Sequence, residues 1–152
     1  MKPFVFKLEA LRKIRLRKEE EQQQQLAIAA GKYKTALEDL QMLQQRFDRL
    51  LLGSKKQKSS GTTISMLIAY ETYLQNLQSR VSEQTQIVNA LNEERQAALQ
   101  ALEEAMKERK AVDKLKSRRL DAYQELLLQE EQKLLDEIAG AMTQRYQGSD
   151  KI

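Results

Sequence analysis

The sequence predicts an all-α fold, an antiparallel two-helix coiled-coil hairpin with a longer, overhanging second helix. Three observations predict it. The stretch from about Ile64 to Tyr146 contains no proline and a single glycine, Gly140. Apolar residues recur along it every three to four positions, through Leu67, Tyr70, Leu74, Leu77, Val81, Val88, Leu91, Ala98, Leu102, Ala105 and Val112. A shorter run of the same period precedes it, and a Gly/Ser/Lys-rich stretch separates the two. A stripe with a period of about 3.5 residues keeps facing one way only on a helix supercoiled against another. At about 1.5 Å per residue the longer run would exceed roughly 110 Å, too long for a compact globule of this size.

Composition agrees. The 152 residues are 32% charged and only 5% aromatic, with abundant Gln, as in a coiled coil. One coiled-coil domain, 1–152, is expected. Cysteine and histidine are both absent. No disulfide framework or thiolate chemistry is therefore available, and the commonest general base and metal ligand is missing. Phe4-Val5-Phe6 is too short for a secretory apolar core, and the apolar runs Leu50–Leu52 and Leu126–Leu128 fall far below a membrane span. The expectation is a cytoplasmic protein.

Helix one is expected at about 3–52. Pro3 suits its first turn, and Phe4, Leu8, Leu11 and Ile14 form a short stripe. The run 17–25 (RKEEEQQQQ) favours helix by propensity but buries little, and reads as a solvated segment. The heptad is then regular through Leu26, Ala29, Tyr33, Ala36, Leu40, Leu43, Phe47 and Leu50. Residues 53–63 (GSKKQKSSGTT) read as a loop, with Gly53 as C-cap and Thr62 or Thr63 as N-cap of the next helix. Helix two follows at about 64–146, and 147–152 as a frayed tail.

A loop of this length implies an antiparallel pair. Setting Leu50 against Leu67 brings Phe47 to Tyr70, Leu43 to Leu74, Leu40 to Leu77, Ala36 to Val81, Tyr33 to Gln84, Ala29 to Val88 and Leu26 to Leu91. The turn then centres between residues 58 and 59, and residue 4 lies beside residue 113. Heptads fix register only to within about seven residues. In this register roughly the last 35 residues of helix two lack a partner in the chain, yet keep apolar positions at Leu115, Leu120, Tyr123, Leu127, Leu134, Ile138 and Ala141. A stripe of that kind marks a contact surface, for another protein or for a second copy.

Charge is segregated as well. Residues 2–18 carry seven Lys/Arg against one Glu, and residues 107–119 seven against two acids. The hairpin gathers both at its open end as a basic collar, followed by an acidic tip of Asp121, Glu125, Glu130, Glu131, Asp136 and Glu137. No Gly-rich phosphate loop, metal-ligand set or nucleophile–base pattern occurs, and carboxylate clusters such as Glu19-Glu20-Glu21 read as solvated helix surface. No enzyme, no cofactor and no metal site is expected. Nucleic-acid binding is disfavoured, because the collar matches no recognised binding fold and an acidic tip follows it.

The order of three motif groups resembles the FliJ family of the bacterial flagellar export apparatus. These are Phe4-x-Phe6-x-Leu8-x-x-Leu11-x-x-x-Arg15, then Gly61…Tyr70-x-x-Tyr73-Leu74-x-x-Leu77, then Glu108-Arg109-Lys110…Leu115-Lys116…Arg119…Tyr123…Glu131…Leu135-Asp136-Glu137-Ile138-Ala139. The resemblance runs the full length. It implies a two-helix coiled coil similar to the central stalk of rotary ATP synthases. Such a protein inserts into the ring of the flagellar export ATPase, contacts the linker of the membrane export gate protein and binds empty export chaperones. It would be held peripherally at the cytoplasmic face of the inner membrane through these partners. Carried onto this sequence, the resemblance places an ATPase contact at Phe4, Leu8, Leu11, Arg109, Lys110, Arg118, Arg119, Tyr123, Leu127, Leu134 and Ile138. It places an export-gate contact at Tyr73, Leu77, Arg80 and Gln84, with Leu43 and Phe47 opposite; Leu77 also lies on the seam. The alternatives are the equivalent stalk of a virulence type III secretion system and a homodimerising coiled-coil scaffold.

Overall fold

Two helices account for nearly all of the chain in the computed structural model, which describes residues 2–149. Helix α1 spans Glu9–Ser60 and α2 spans Ile64–Ser149, and they pack antiparallel as a hairpin. Among the described residues there is no strand. The chain divides into two compact units, residues 18–105 and residues 1–17 with 106–152.

In the first unit the helices meet along the heptad positions. Ala36, Leu40 and Val88 form its buried cluster, with Tyr33, Leu37, Val81 and Leu91 packed against them. Farther toward the turn Leu77 is only 2% exposed. Polar groups also sit on the seam. Gln84 donates its amide to the Ala36 carbonyl at 3.0 Å, and the Arg95 guanidinium lies 4.6 Å from the centre of the Tyr33 ring while donating to Asn92 at 2.8 Å. The Gln84–Ala36 bond and the Arg95–Tyr33 contact cross between the helices and are met in one alignment, so they discriminate registers that apolar residues alone would tolerate.

The turn is far shorter than the composition suggests. Residues 53–60, expected as loop, continue α1, and only 61–63 connect the helices. The reason lies on the seam. Its positions pass from Phe47 and Leu50 to Ser54, which is 4% exposed, so a small residue carries the contact with α2 past Gly53. Gly53 is therefore mid-helix, and Gly61 takes the capping role with φ of 80°. Thr63 is the N-cap of α2, its Oγ1 accepting from the Met66 N–H at 3.3 Å.

Moving the turn to 61–63 also moves the register. Val88 packs with Ala36 and Leu40 rather than Ala29, and Gln84 reaches Ala36 rather than Tyr33. The displacement is about one heptad, the one step to which a heptad pattern is blind.

The second unit departs from expectation at its N-terminus. Helix α1 starts at Glu9, not at residue 3, and residues 2–6 are non-helical. Pro3 disfavours helix at Lys2, and Phe-Val-Phe has poor helix propensity, so the segment runs as a strap with alternate residues inward. Phe6 is buried, Val5 is 75% exposed, and the Phe4 ring lies 5.6 Å from that of Tyr123. The Tyr123 hydroxyl donates to the Lys2 carbonyl at 2.7 Å. The same displacement of about one heptad sets Glu9 beside Lys116 and Lys2 beside Tyr123, so the N-terminal segment pairs well beyond residue 113.

The overhang is shorter as a result. Leu115, Leu120 and Tyr123 are half-buried, Tyr123 against Lys2 and Phe4, and every residue from 128 to 148 is exposed. The expected tail is helical as far as Ser149, and its remainder, 150–152, lies outside the described residues. The run 17–25 is helical too, but Glu19 is buried at 6% exposure, not on the surface. It stands on the inward face of α1, between the half-buried Leu16 and Gln22.

Candidate functional site

Two surfaces carry the residues singled out in the sequence, one in each unit. In the unit of residues 1–17 and 106–152 the surface begins with the strap. Phe6 lies against two cations, with Lys116 Nζ 6.0 Å and the Arg119 guanidinium 5.7 Å from its ring centre. Beside it Glu9 accepts from Arg12 at 2.8 Å and from Lys116 at 3.0 Å. Asp113 accepts from Arg109 at 2.7 Å and faces Arg12 at 3.7 Å, and Arg15 donates to the Glu108 carbonyl at 3.0 Å. Hydrogen bonds from Arg12 and then Lys116 hold the Glu9 carboxyl well below its ordinary 4.5, at about 2. The Arg12 guanidinium is correspondingly raised, chiefly by Glu9.

The basic collar is therefore two things. Arg12, Arg15 and Lys116 clamp α1 onto α2 and Arg109 braces Asp113 within α2, whereas Lys7, Lys13, Lys110, Arg118 and Arg119 are exposed. Of the expected ATPase-contact residues, Lys110, Arg118, Arg119, Leu134 and Ile138 face solvent. Phe4, Leu8, Leu11, Arg109, Tyr123 and Leu127 are half-buried, with Phe4 and Tyr123 packed on each other. Beyond Leu126 the helix presents Leu128 at 65%, Leu134 at 58%, Leu135 at 60%, Met142 at 67% and Tyr146 at 73% exposure. At about 100° per residue these side chains, with Leu127, Ile138 and Ala141, share one face about 140° wide.

In the unit of residues 18–105 the second surface is an open groove between the helices near the turn. Leu50, Met66, Ala69, Tyr70 and Tyr73 line about 290 Å³ of it. An adjoining hollow of about 320 Å³ shares Leu50, Tyr70 and Tyr73 and is edged by Arg46 and Arg49. The expected gate-contact residues do not form one patch. Tyr73 is 53% exposed and lines the groove, Arg80 is exposed, and Leu43 is half-buried. Phe47 lines a separate hollow of about 360 Å³ with Gln44, Asp48, Gln78 and Val81. Leu77 is buried between the helices and Gln84 is engaged with the Ala36 carbonyl, so neither presents a free surface. The seam positions at both explain this, since inward residues on α2 belong to α1 before any partner.

Reading by heptad missed Phe6, Met66 and Ala69. Phe6 had a signal: two aromatics at i and i+2 behind a proline fit an extended segment better than a helix. Met66 and Ala69 had none, because they stand beside the seam positions Leu67 and Tyr70 and are exposed. Among the described residues no group of acidic side chains has the arrangement of a metal site, and no helix is long and apolar enough to cross a membrane.

Compared with known proteins, the family described as flagellar FliJ protein matches residues 4–148 of the chain. No curated protein matches it. Among solved structures, that of a putative YscO homolog from Chlamydia trachomatis is similar, with 21% identity, a TM-score of 0.47, and coverage of 95% of this chain and 98% of that one.

Proposed function

We propose that this chain, which belongs to the flagellar FliJ protein family and is a component of a type III export apparatus, is a non-enzymatic, stalk-like activator of the flagellar export ATPase. It binds the ATPase ring through the free end of α2 and the exposed cations next to it. It touches the membrane export gate through Tyr73 and Arg80, and it escorts export chaperones. Partners of this kind would hold it peripherally at the membrane.

The observation that carries the reading is the face from Leu127 to Tyr146. No described residue covers its positions from 128 to 148, although a hairpin could have ended α2 where α1 ends. Leucines more than half exposed are costly to keep in water unless a partner buries them, at roughly 25 cal/mol per Å² of apolar surface. Lys110, Arg118 and Arg119 border that end and suit an acidic rim on the partner.

Co-migration with the cognate export ATPase tests the reading. The full chain should elute with the ATPase, and Leu134→Asp with Ile138→Asp should elute apart from it while keeping its helix content. Unimpaired co-migration of that variant would remove the overhang from the contact. A concentration-dependent dimer of the chain alone, abolished by the same substitutions, would instead identify a homodimerising scaffold.

A further inference from the structure

The hairpin turn carries a surface that the ATPase contact does not use. From Arg49 to Tyr70 the sequence has four cations, Arg49, Lys55, Lys56 and Lys58, and not one carboxylate, in a chain that holds 22 Asp and Glu. The same stretch exposes Leu52 at 58%, Ile64 at 77%, Met66 at 46% and Ile68 at 60%. Ile64, at the first position of α2, is the most exposed large apolar side chain among the described residues. Apart from Leu52 on α1, the two kinds of residue sit on opposite arms of one turn. Lysines and serines occupy the last turns of α1, and Ile64-Ser65-Met66-Leu67-Ile68 opens α2 directly after the three-residue connection.

We propose that this tip docks on an anionic phospholipid surface, with Ile64 and Ile68 entering the headgroup–acyl boundary and Lys55, Lys56 and Lys58 facing the phosphates. Apolar side chains at a free helical end, flanked by cations without acids, are what an interfacial anchor requires. An acidic protein partner would call for a shaped pocket at the tip, and the groove lies farther along, at Tyr70 and Tyr73. Tyr73 stands nine positions beyond Ile64, roughly 13 Å along the helix, where interfacial tyrosines and arginines such as Arg46 and Arg49 sit at headgroup depth. Direct lipid contact is thus distinct from attachment through partners and does not rest on the ATPase reading.

The full chain is sedimented with vesicles of phosphatidylcholine alone and of phosphatidylcholine with phosphatidylglycerol. Binding is expected only to the vesicles with phosphatidylglycerol and is expected to fall with added salt. Replacing Lys55, Lys56 and Lys58 together by Gln should weaken it on the order of a hundredfold, about fivefold for each charge. Ile64→Ser with Ile68→Ser should weaken it more than about tenfold, and these exposed positions leave the helical dichroism unchanged. Lys7→Gln with Lys13→Gln, at the other end, should leave it unaltered. The proposal is overturned by no association with either vesicle, or by equal association with both. It is equally overturned if the Lys7 and Lys13 pair matters as much as the tip. Tip variants that keep full vesicle binding but lose binding to the export gate protein would assign the tip to a protein instead.

Discussion

Leu77 and Tyr73 sit four positions apart on α2 and separate the seam from the surface. Leu77 is 2% exposed and Tyr73 is 53% exposed. Truncating Leu77 to Ala removes about three methylene equivalents at ~0.8 kcal/mol each, or about 2.4 kcal/mol of transfer free energy. A cavity adds to this, but a seam between only two helices collapses more readily than a globular core, so the total should be about 2–3 kcal/mol. Tyr73→Ala should cost less than about 1 kcal/mol, since half of that ring is already in water. Urea unfolding followed by far-ultraviolet circular dichroism measures both, with the slope checked for constancy so that midpoints can be compared. In parallel, binding to the export gate protein should weaken for Tyr73→Ala at unchanged stability. A loss below about 1 kcal/mol for Leu77→Ala, combined with weakened gate binding, would refute the inward assignment of Leu77 and the register with it.

Two further perturbations test the turn and the clamp. Gly61→Ala places a side chain at φ of 80°, where its Cβ meets nothing but the backbone is strained, and should cost about 1 kcal/mol. Gly53→Ala, mid-helix with open space around its Cβ, should stabilise by up to about 1 kcal/mol, and a destabilisation would restore the loop at 53–60. At Glu9 the folded carboxyl is depressed, so the stability its pairing with Arg12 and Lys116 contributes is present above pH 4.5 and is lost as pH falls toward 2. These groups are a quarter to a third exposed, and solvent screening keeps the effect modest. Carboxyl titration by NMR should place Glu9 near 2, and a midpoint at the ordinary 4.5 would show that the clamp does not form in solution.

The fold class, the antiparallel pairing and the overhang were legible because a heptad stripe is a long-range pattern, repeated through Tyr33, Leu40, Leu77, Val88 and Val112. Its phase was legible as well, and the inward-facing set on α2 is the one the period marks. The register was not, since a heptad pattern repeats, and the turn together with the Gln84–Ala36 and Arg95–Tyr33 contacts fixes which repeat pairs with which. The turn was concealed by composition, because residues 53–60 have loop-like chemistry yet stay helical through the contact at Ser54. The strap at 2–6 was concealed by the assumption that Pro3 opens a helix, when Phe4 and Phe6 find Tyr123, Lys116 and Arg119 by running extended. Of the two candidate surfaces, the overhang followed from the stripe, whereas the groove lined by Leu50, Met66 and Tyr73 draws on residues beside the seam as well as on it, which no periodicity marks.

The most direct measurement of the central claim is the rate of ATP hydrolysis by the cognate flagellar export ATPase, at fixed salt, with and without this chain. Stimulation by the parent chain, lost with Leu134→Asp and Ile138→Asp at unchanged helix content, is the predicted result. An unchanged rate with the parent chain, or equal stimulation by parent and variant, would contradict a stalk that acts through the free end of α2.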